Sequence, residues 1–180
     1  DRPITLAQLL GHRSGLADNV DYALPLDADL EVALRNLAAW DAARAPAGDF
    51  AYANLNYPLV AAAIEGATGE RLDAAMARLV MRPLGLDACF NWPTCSEAAV
   101  ARAVTLRGAD GTVVRDDVRG VRRPCPGVRA TDGSCDLAHY RLARHGAGFS
   151  PQGGLRISAN GLARIGVDAD QLAARAFSGA

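Results

Sequence analysis

Tyr52 and Asn54, separated by one residue, are the side chains of this sequence whose types and spacing best suit chemistry. A tyrosine hydroxyl can transfer protons as a general acid or base, and an asparagine amide beside it can hold a substrate amide or ester in place. A three-letter pattern with one free position nevertheless recurs by chance. Taken alone, the triplet favours a structural role, in which the tyrosine is half-buried and the asparagine forms an Asx turn or a helix cap.

The flanking segments predict that this triplet lies on a loop between two helices. The first helix is capped by Asp27 or Asp29 and is ended by the Pro-Ala-Gly-Asp turn at 46–49. Its apolar stripe consists of Leu30, Leu34, Leu37 and Trp40. The second helix has Pro58 in its first turn and stops near Gly69.

The remaining segments change from helical to irregular along the chain. Thr5 and Gln8 form a capping box before a short helix, and the run 71–81 predicts another helix. Residues 104–114 hold two short β-branched runs around a Gly-Ala-Asp-Gly turn, which predicts a small β-hairpin. Residues 116–150 are rich in Gly, Pro, Asp and Arg and predict a long irregular loop.

The four cysteines lie in two sequence-local pairs, Cys89 with Cys95 and Cys125 with Cys135. This arrangement favours disulfides and an oxidising compartment, although four cysteines allow three pairings. The alternative is a zinc site, whose ligands would be Cys125, Cys135, His139 and His145. Nine residues separate the two cysteines of that set. Because structural zinc sites bring each ligand pair closer together, this spacing favours disulfides over zinc.

Composition and charge describe one globular unit. The chain has 180 residues, of which 50% are hydrophobic, enough for a buried core. A net charge of −1 gives no general attraction to nucleic acid or to an anionic membrane, and no apolar run is long enough to predict a membrane span. We expect one domain, or one and a fraction, over 1–180, with a helical region (1–88), a loop- and hairpin-rich region (89–157) and a terminal helical segment (158–180).

Five stretches of the chain carry motifs that are more specific than the triplet. They are residues 4–16, with Ile-Thr and Leu-Leu-Gly-His-Arg-Ser-Gly-Leu; 50–60, around the triplet; 64–69; 82–86, Arg-Pro-Leu-Gly-Leu; and 153–164, with Gly-Gly-Leu-Arg-Ile-Ser and Leu-Ala-Arg. In this order they resemble the serine β-lactamase-like superfamily, which includes class C β-lactamases, penicillin-binding DD-peptidases and related esterases.

The resemblance implies roles for four residues. Tyr52 is then catalytic and passes protons from a nucleophilic serine to the leaving group, while Asn54 holds the acyl-side amide of the substrate. Gly153 and Gly154 are secondary candidates for substrate binding, because glycines let the backbone approach a ligand closely. The implied reaction acylates a serine with an amide, β-lactam or ester and then hydrolyses the acyl-enzyme, and it needs no metal or organic cofactor.

Two motifs of that superfamily do not occur in the sequence. All 19 Lys and Arg positions are arginines, so Ser-x-x-Lys is impossible, and no Lys/His-x-Gly follows the last matched stretch. We therefore interpret the chain as an internal portion of a larger hydrolase, inactive alone. It is mainly α with a small β-hairpin, the helical portion of an α+β serine β-lactamase/transpeptidase-like fold.

The cysteine pairing and the resemblance together predict a periplasmic or secreted protein whose signal segment is not in this chain. Its substrate is a small molecule or a peptidoglycan-like compound, and its oligomeric state stays open.

The alternative is a non-catalytic helical module of degenerate β-lactamase-like origin that binds peptidoglycan or a protein partner. Ser14 does not supply a nucleophile for the enzymatic interpretation. It lies in a Gly-His-Arg-Ser-Gly stretch that follows a helical segment, whereas a nucleophile elbow needs Gly-x-Ser-x-Gly between a strand and a helix. We expect His12 and Ser14 to fix this turn through side-chain to backbone hydrogen bonds.

Overall fold

Helices form most of the regular structure in the computed structural model, which describes residues 3–113, 125–146 and 151–167. The helices are α1 (Leu6–Leu10), α2 (Leu30–Arg35), α3 (Asn56–Thr68), α4 (Leu72–Met76), α5 (Glu97–Ala101) and α6 (residues 159–167). Single 3-10 turns occupy Leu37–Ala39, Trp92–Thr94 and Leu137–His139. The strands β1 (Cys89–Phe90) and β2 (Leu155–Arg156) form an antiparallel pair. The mainly helical class is therefore confirmed.

Helix ends follow the local sequence closely. At the start of α1, the Thr5 hydroxyl accepts the backbone N–H of Gln8 at 3.3 Å, and the Gln8 side chain accepts the N–H of Thr5 at 2.8 Å, which confirms the capping box. At the end of α3, Gly69 adopts a left-handed φ of 67°, a conformation that favours glycine. Pro58 lies in the first turns of α3, where its missing N–H costs no intrahelical bond.

The helix α2 is shorter than its apolar pattern predicts. It is capped by Asp29, whose carboxylate accepts the Glu31 N–H at 3.0 Å, and it ends at Arg35. Asn36 interrupts the pattern because its side chain accepts the Ala38 N–H and starts a 3-10 turn. Leu37 is consequently 87% exposed, so its predicted place in the buried stripe is wrong.

The predicted hairpin at 104–114 forms only a bridged turn within the described residues. An isolated bridge pairs Arg107 with Val113, and the Gly108 N–H donates to the Thr112 carbonyl at 2.8 Å. Val114, the last residue of the predicted hairpin, lies outside the described residues. The two-stranded sheet instead pairs β1 with β2, two segments far apart in sequence, and so brings the 153–154 glycines beside residues 89–91.

The apolar core consists of three clusters arranged around α3 and the β1–β2 pair. The first joins α1 to the start of α3 and contains Leu9, Leu16, Leu30, Ala39, Ala53 and Leu55. The second lies between α3, α4 and β1 and contains Ala61, Leu72, Met81 and Phe90. The third surrounds the first cysteine pair and contains Cys89, Trp92, Cys95 and Val100. Burial of these side chains fixes both ends of the loop that carries the Tyr-x-Asn triplet.

Both sequence-local cysteine pairs form disulfides. The Cα atoms lie 5.1 Å apart in Cys89–Cys95 and 5.5 Å apart in Cys125–Cys135. The disulfide at Cys125 removes two of the four thiolate and imidazole ligands that a zinc site would need there. Among the described residues, no helix combines the length and apolar character that a bilayer crossing requires.

A buried carboxylate attaches the irregular segment 137–146 to α3. Glu65 is fully buried, and its two oxygens accept the Tyr140 hydroxyl at 2.6 Å, the Leu72 N–H at 3.0 Å and the Ala143 N–H at 3.0 Å. Burial, with the hydrogen bond to Glu65, raises the pKa of Tyr140 above its ordinary value of 10, so the phenol stays a donor to the carboxylate. Gly146 packs directly on the α3 backbone, since a Cβ there would collide with the Pro58 carbonyl.

His145 gives this segment a pH dependence. The side chain is buried, and its Nδ1 accepts the Arg141 N–H at 3.2 Å. Burial, helped by the charge of Arg141, lowers the pKa of His145 below its ordinary value of 6.5. As the pH falls through 6.5, the unfolded chain takes up a proton at this residue before the folded chain does, so the folded state loses stability.

We expect the free energy of unfolding of the full-length gene product to fall more steeply between about pH 7 and pH 5 than that of a His145→Gln variant. Glutamine keeps a hydrogen-bond acceptor but does not titrate. Urea unfolding at several pH values in this window measures both slopes. Parallel stability curves would show that His145 does not contribute the dependence.

Candidate active site

The Tyr-x-Asn triplet presents its tyrosine to solvent and its asparagine to a cleft. Tyr52 is 59% exposed, and its hydroxyl donates to the Asn54 side-chain oxygen at 3.0 Å. The Tyr52 ring stacks on His12, with ring centroids 4.5 Å apart and an interplanar angle of 28°. The half-buried tyrosine that the triplet alone favours is therefore not what the fold produces. Its hydroxyl is held in a fixed direction by the neighbouring amide.

Asp18 anchors the triplet and was missed by sequence reasoning. One carboxylate oxygen accepts both the backbone N–H and the side-chain NH₂ of Asn54 at 2.8 Å, and the other accepts the Leu55 N–H at 3.0 Å. The second N–H of the Asn54 amide reaches the Tyr22 hydroxyl at 3.2 Å. Asp18 lies 36 residues before Asn54 in the sequence, so no local pattern indicated this contact. Charge-assisted bonds of this kind hold the loop more firmly than neutral ones.

A buried polar network beneath the loop joins the Gly-His-Arg-Ser-Gly turn to the start of α3. The Ser14 hydroxyl donates to the Asn56 side-chain oxygen at 2.6 Å and accepts the Leu16 N–H at 3.1 Å. The His12 Nδ1 accepts the Ala53 N–H at 3.3 Å and lies 3.1 Å from the Asn56 amide nitrogen. The expectation that the turn is fixed by side-chain to backbone hydrogen bonds is thus confirmed for Ser14, whereas His12 instead bonds the Ala53 N–H of the distant triplet loop. Ser14 is buried and bonded on both sides, which does not suit a nucleophile.

We expect Asn56→Ala to lower the free energy of unfolding by about 2–4 kcal/mol, because three buried groups each lose one hydrogen-bond partner at once. Asn56 is 1% exposed, and besides its bonds to Ser14 and His12 it donates to the Ala53 carbonyl at 2.9 Å. Asn19→Ala is the matched control, since Asn19 is exposed and should change stability by less than about 0.5 kcal/mol. Equal effects of the two substitutions in urea unfolding would contradict the anchoring role of Asn56.

A polar cleft of about 230 Å³ brings three of the four predicted site residues together. It is lined by Tyr22, Asn54, Asn91, Gln152, Gly153, Gly154 and Arg156. The β1–β2 pair positions its far wall, because the Asn91 N–H extends the strand pairing to the Gly154 carbonyl at 2.8 Å. Tyr52 stands at the edge of this cleft through its hydrogen bond to Asn54.

A larger groove of about 550 Å³ runs between α5 and β2, with Trp92, Val104 and Leu106 among its walls. None of the predicted site residues lines it. Its size alone does not make it the site of chemistry, because Asn54, Gly153 and Gly154 line the smaller cleft instead. Within the described residues, no group of three or more His, Cys, Asp or Glu is arranged to hold a metal ion.

The geometry can support proton transfer and substrate binding. The phenol is exposed and oriented, the asparagine that it contacts lines the cleft, and two glycines also line the cleft, where they bring backbone close. A nucleophile is not identified among the described residues. A comparison with curated proteins finds no match. The Beta-lactamase family model matches residues 1–178, nearly the whole sequence. The chain therefore belongs to the Beta-lactamase family.

Proposed function

We propose that this chain supplies the side of the active site that carries the Tyr-x-Asn motif in a serine hydrolase. The enzyme forms an acyl-enzyme with an amide, β-lactam or ester. The observation that carries the proposal is the 3.0 Å hydrogen bond from the exposed Tyr52 hydroxyl to the Asn54 oxygen, beside a cleft closed by Gly153 and Gly154. Membership of the Beta-lactamase family supports the reaction class. The serine and its lysine partner are supplied from outside these 180 residues, since the sequence contains no lysine.

In this proposal Tyr52 is the proton-transfer residue. With its own proton first lost to solvent beside the lysine of the intact site, the Tyr52 oxygen acts as a phenolate: it takes the proton of the attacking serine and passes it to the leaving group, so that acylation and hydrolysis share one acid and base. The stacked His12 ring and the Asn54 oxygen fix the phenol in two directions. A rigid, accessible phenol needs little reorganisation when the proton moves.

Asn54 has two roles in this proposal. Both hydrogens of its amide are directed to Asp18 and Tyr22, so the amide is locked and cannot rotate freely. Its oxygen accepts the Tyr52 hydroxyl and keeps a second lone pair for a substrate N–H. Asn54 therefore orients the catalytic phenol and offers an acceptor to the acyl side of the substrate.

The compartment follows from the same observations. Two disulfides and membership of the Beta-lactamase family fit an extracytoplasmic protein, and we propose the periplasm or secretion. Small-molecule or peptidoglycan-like compounds are the substrates consistent with that location.

Covalent labelling of the full-length gene product tests the proposal. A fluorescent penicillin and a fluorophosphonate both trap a nucleophilic serine, and the first also requires a site that accepts a lactam. Labelling by both supports a β-lactam or peptide substrate, and labelling by the fluorophosphonate alone supports an ester substrate. If neither reagent labels the native protein above its heat-denatured control, the hydrolase proposal is wrong, and the protein is instead interpreted as a non-catalytic binding module.

A further inference from the structure

Asn91 and Gln152 line the cleft together with Asn54, and each carries a buried polar atom without a partner among the described residues. The Asn91 Nδ2 and the Gln152 Oε1 each expose less than 1 Å² and make no hydrogen bond there. Asn91 as a whole is only 8% exposed. Unpaired buried polar atoms are costly and few in folded proteins, and two of them share one small cleft.

The backbone of Asn91 is also unusual. Its φ of 54° and ψ of 166° fall where side-chain-bearing residues are rarely found. The pairing with the Gly154 carbonyl at 2.8 Å holds the residue in that conformation. Strain of this kind persists where the surrounding structure imposes it, and it concentrates at ligand sites. The fold thus holds the Asn91 side chain at the wall of the cleft despite the strain.

Asn54 has no hydrogen-bond donor left for a substrate carbonyl, and Asn91 can supply one. Asp18 and Tyr22 already accept both amide hydrogens of Asn54, so a substrate carbonyl finds no spare donor on that residue. Asn91 supplies the unused donor, and Gln152 supplies an unused acceptor in the same cleft. The terminal torsions of Asn and Gln are broad, so a small rotation presents either atom to a ligand.

We infer that Asn91 and Gln152 are further substrate-positioning residues, which together bind one secondary amide in the acyl portion of the substrate. Asn91 donates to the amide carbonyl, and the amide N–H is shared between the Gln152 Oε1 and the Asn54 oxygen. A secondary amide carries one acceptor and one donor, and so matches the two unpaired atoms. This inference rests on the proposed function, because the same cleft must hold the acyl group that reacts.

Two ester substrates that differ only in a secondary amide measure how much the cleft contributes to recognition of that amide. p-Nitrophenyl N-acetylglycinate contains a secondary amide, and p-nitrophenyl pentanoate has the same chain length with two methylenes in its place. The measured quantity is the ratio of kcat/KM for the first ester to that for the second. In the full-length gene product we expect Asn91→Asp and Gln152→Met each to lower this ratio by about five- to tenfold.

Thermal stability distinguishes substrate positioning from a merely structural role. Gln152→Met removes an unpaired buried oxygen, so its Tm should rise while its discrimination for the amide falls. Ser134→Ala is the matched control, since the Ser134 hydroxyl is likewise buried and unpaired among the described residues but does not line the cleft. That variant should keep the wild-type ratio. An unchanged ratio in both cleft variants overturns the inference.

Failure of the proposed function gives a different result. If neither ester is hydrolysed and neither labelling reagent reacts, the proposed hydrolase is wrong, and the cleft is then tested by NMR for binding of N-acetylglycine amide. The chemical-shift changes give the dissociation constant of the amide. A dissociation constant that rises at least fivefold in Asn91→Asp and Gln152→Met, but not in Ser134→Ala, still supports the amide site. Binding that is absent, or equal in all the proteins, overturns it.

Discussion

Replacing Tyr52 with phenylalanine is expected to lower kcat of the full-length gene product by about 10²–10⁴-fold, the usual contribution of a positioned general acid or base. The substitution removes one hydroxyl and keeps the ring that stacks on His12. Tyr52 is 59% exposed, so the change should leave Tm within about 2 °C of the wild-type value. The measurement is steady-state hydrolysis of whichever substrate class the labelling reagents identify.

Tyr57→Phe is the matched control for this experiment. Tyr57 also contacts the His12 ring, with centroids 5.6 Å apart, but it does not line the cleft. Loss of its hydroxyl should change kcat less than twofold. If Tyr52→Phe retained more than about half of the wild-type kcat, proton transfer would belong to another group, and the exposed phenol would have only a binding role.

Replacing Glu65 with alanine is expected to produce a large loss of stability, about 3–5 kcal/mol. The change leaves the Tyr140 hydroxyl and the N–H groups of Leu72 and Ala143 without their buried acceptor. It also creates a cavity on α3 where the irregular segment 137–146 packs. Because natural domains are stable by only about 5–15 kcal/mol, this one change removes a large fraction of the total.

Urea unfolding compares this variant with Glu31→Ala. Glu31 makes an ion pair with Arg35 at 2.6 Å, but the two side chains are 53% and 77% exposed. Such surface pairs contribute about 0–1 kcal/mol, since water screens them. Glu65→Gln should fall between the two, because its amide oxygen can still accept one set of donors while its NH₂ faces the others. A loss below about 1 kcal/mol for Glu65→Ala would exclude the carboxylate as the anchor of this segment.

Local features of the fold were predictable from the sequence because their causes act over a few residues. The Thr5 capping box and the left-handed Gly69 each depend on hydrogen bonds or torsions within one helical turn. The same reasoning failed at Leu37, where the short-range bond of Asn36 to the Ala38 N–H outweighed the apolar periodicity. Periodicity reports which face an uninterrupted helix would bury, but not whether a side chain interrupts it.

The candidate site divides in the same way. The sequence indicated Tyr52, Asn54 and the two glycines only through the resemblance of its ordered motifs to a known superfamily, and it favoured disulfides between sequence-local cysteines without fixing their connectivity. Only the tertiary structure showed that Asp18 locks the Asn54 amide, that Glu65 anchors a segment about 75 residues away, and that Asn91 meets Gly154. These contacts depend on which distant segments the buried core brings together. A side chain's partners over such separations are set by packing of the whole chain, which no local pattern encodes.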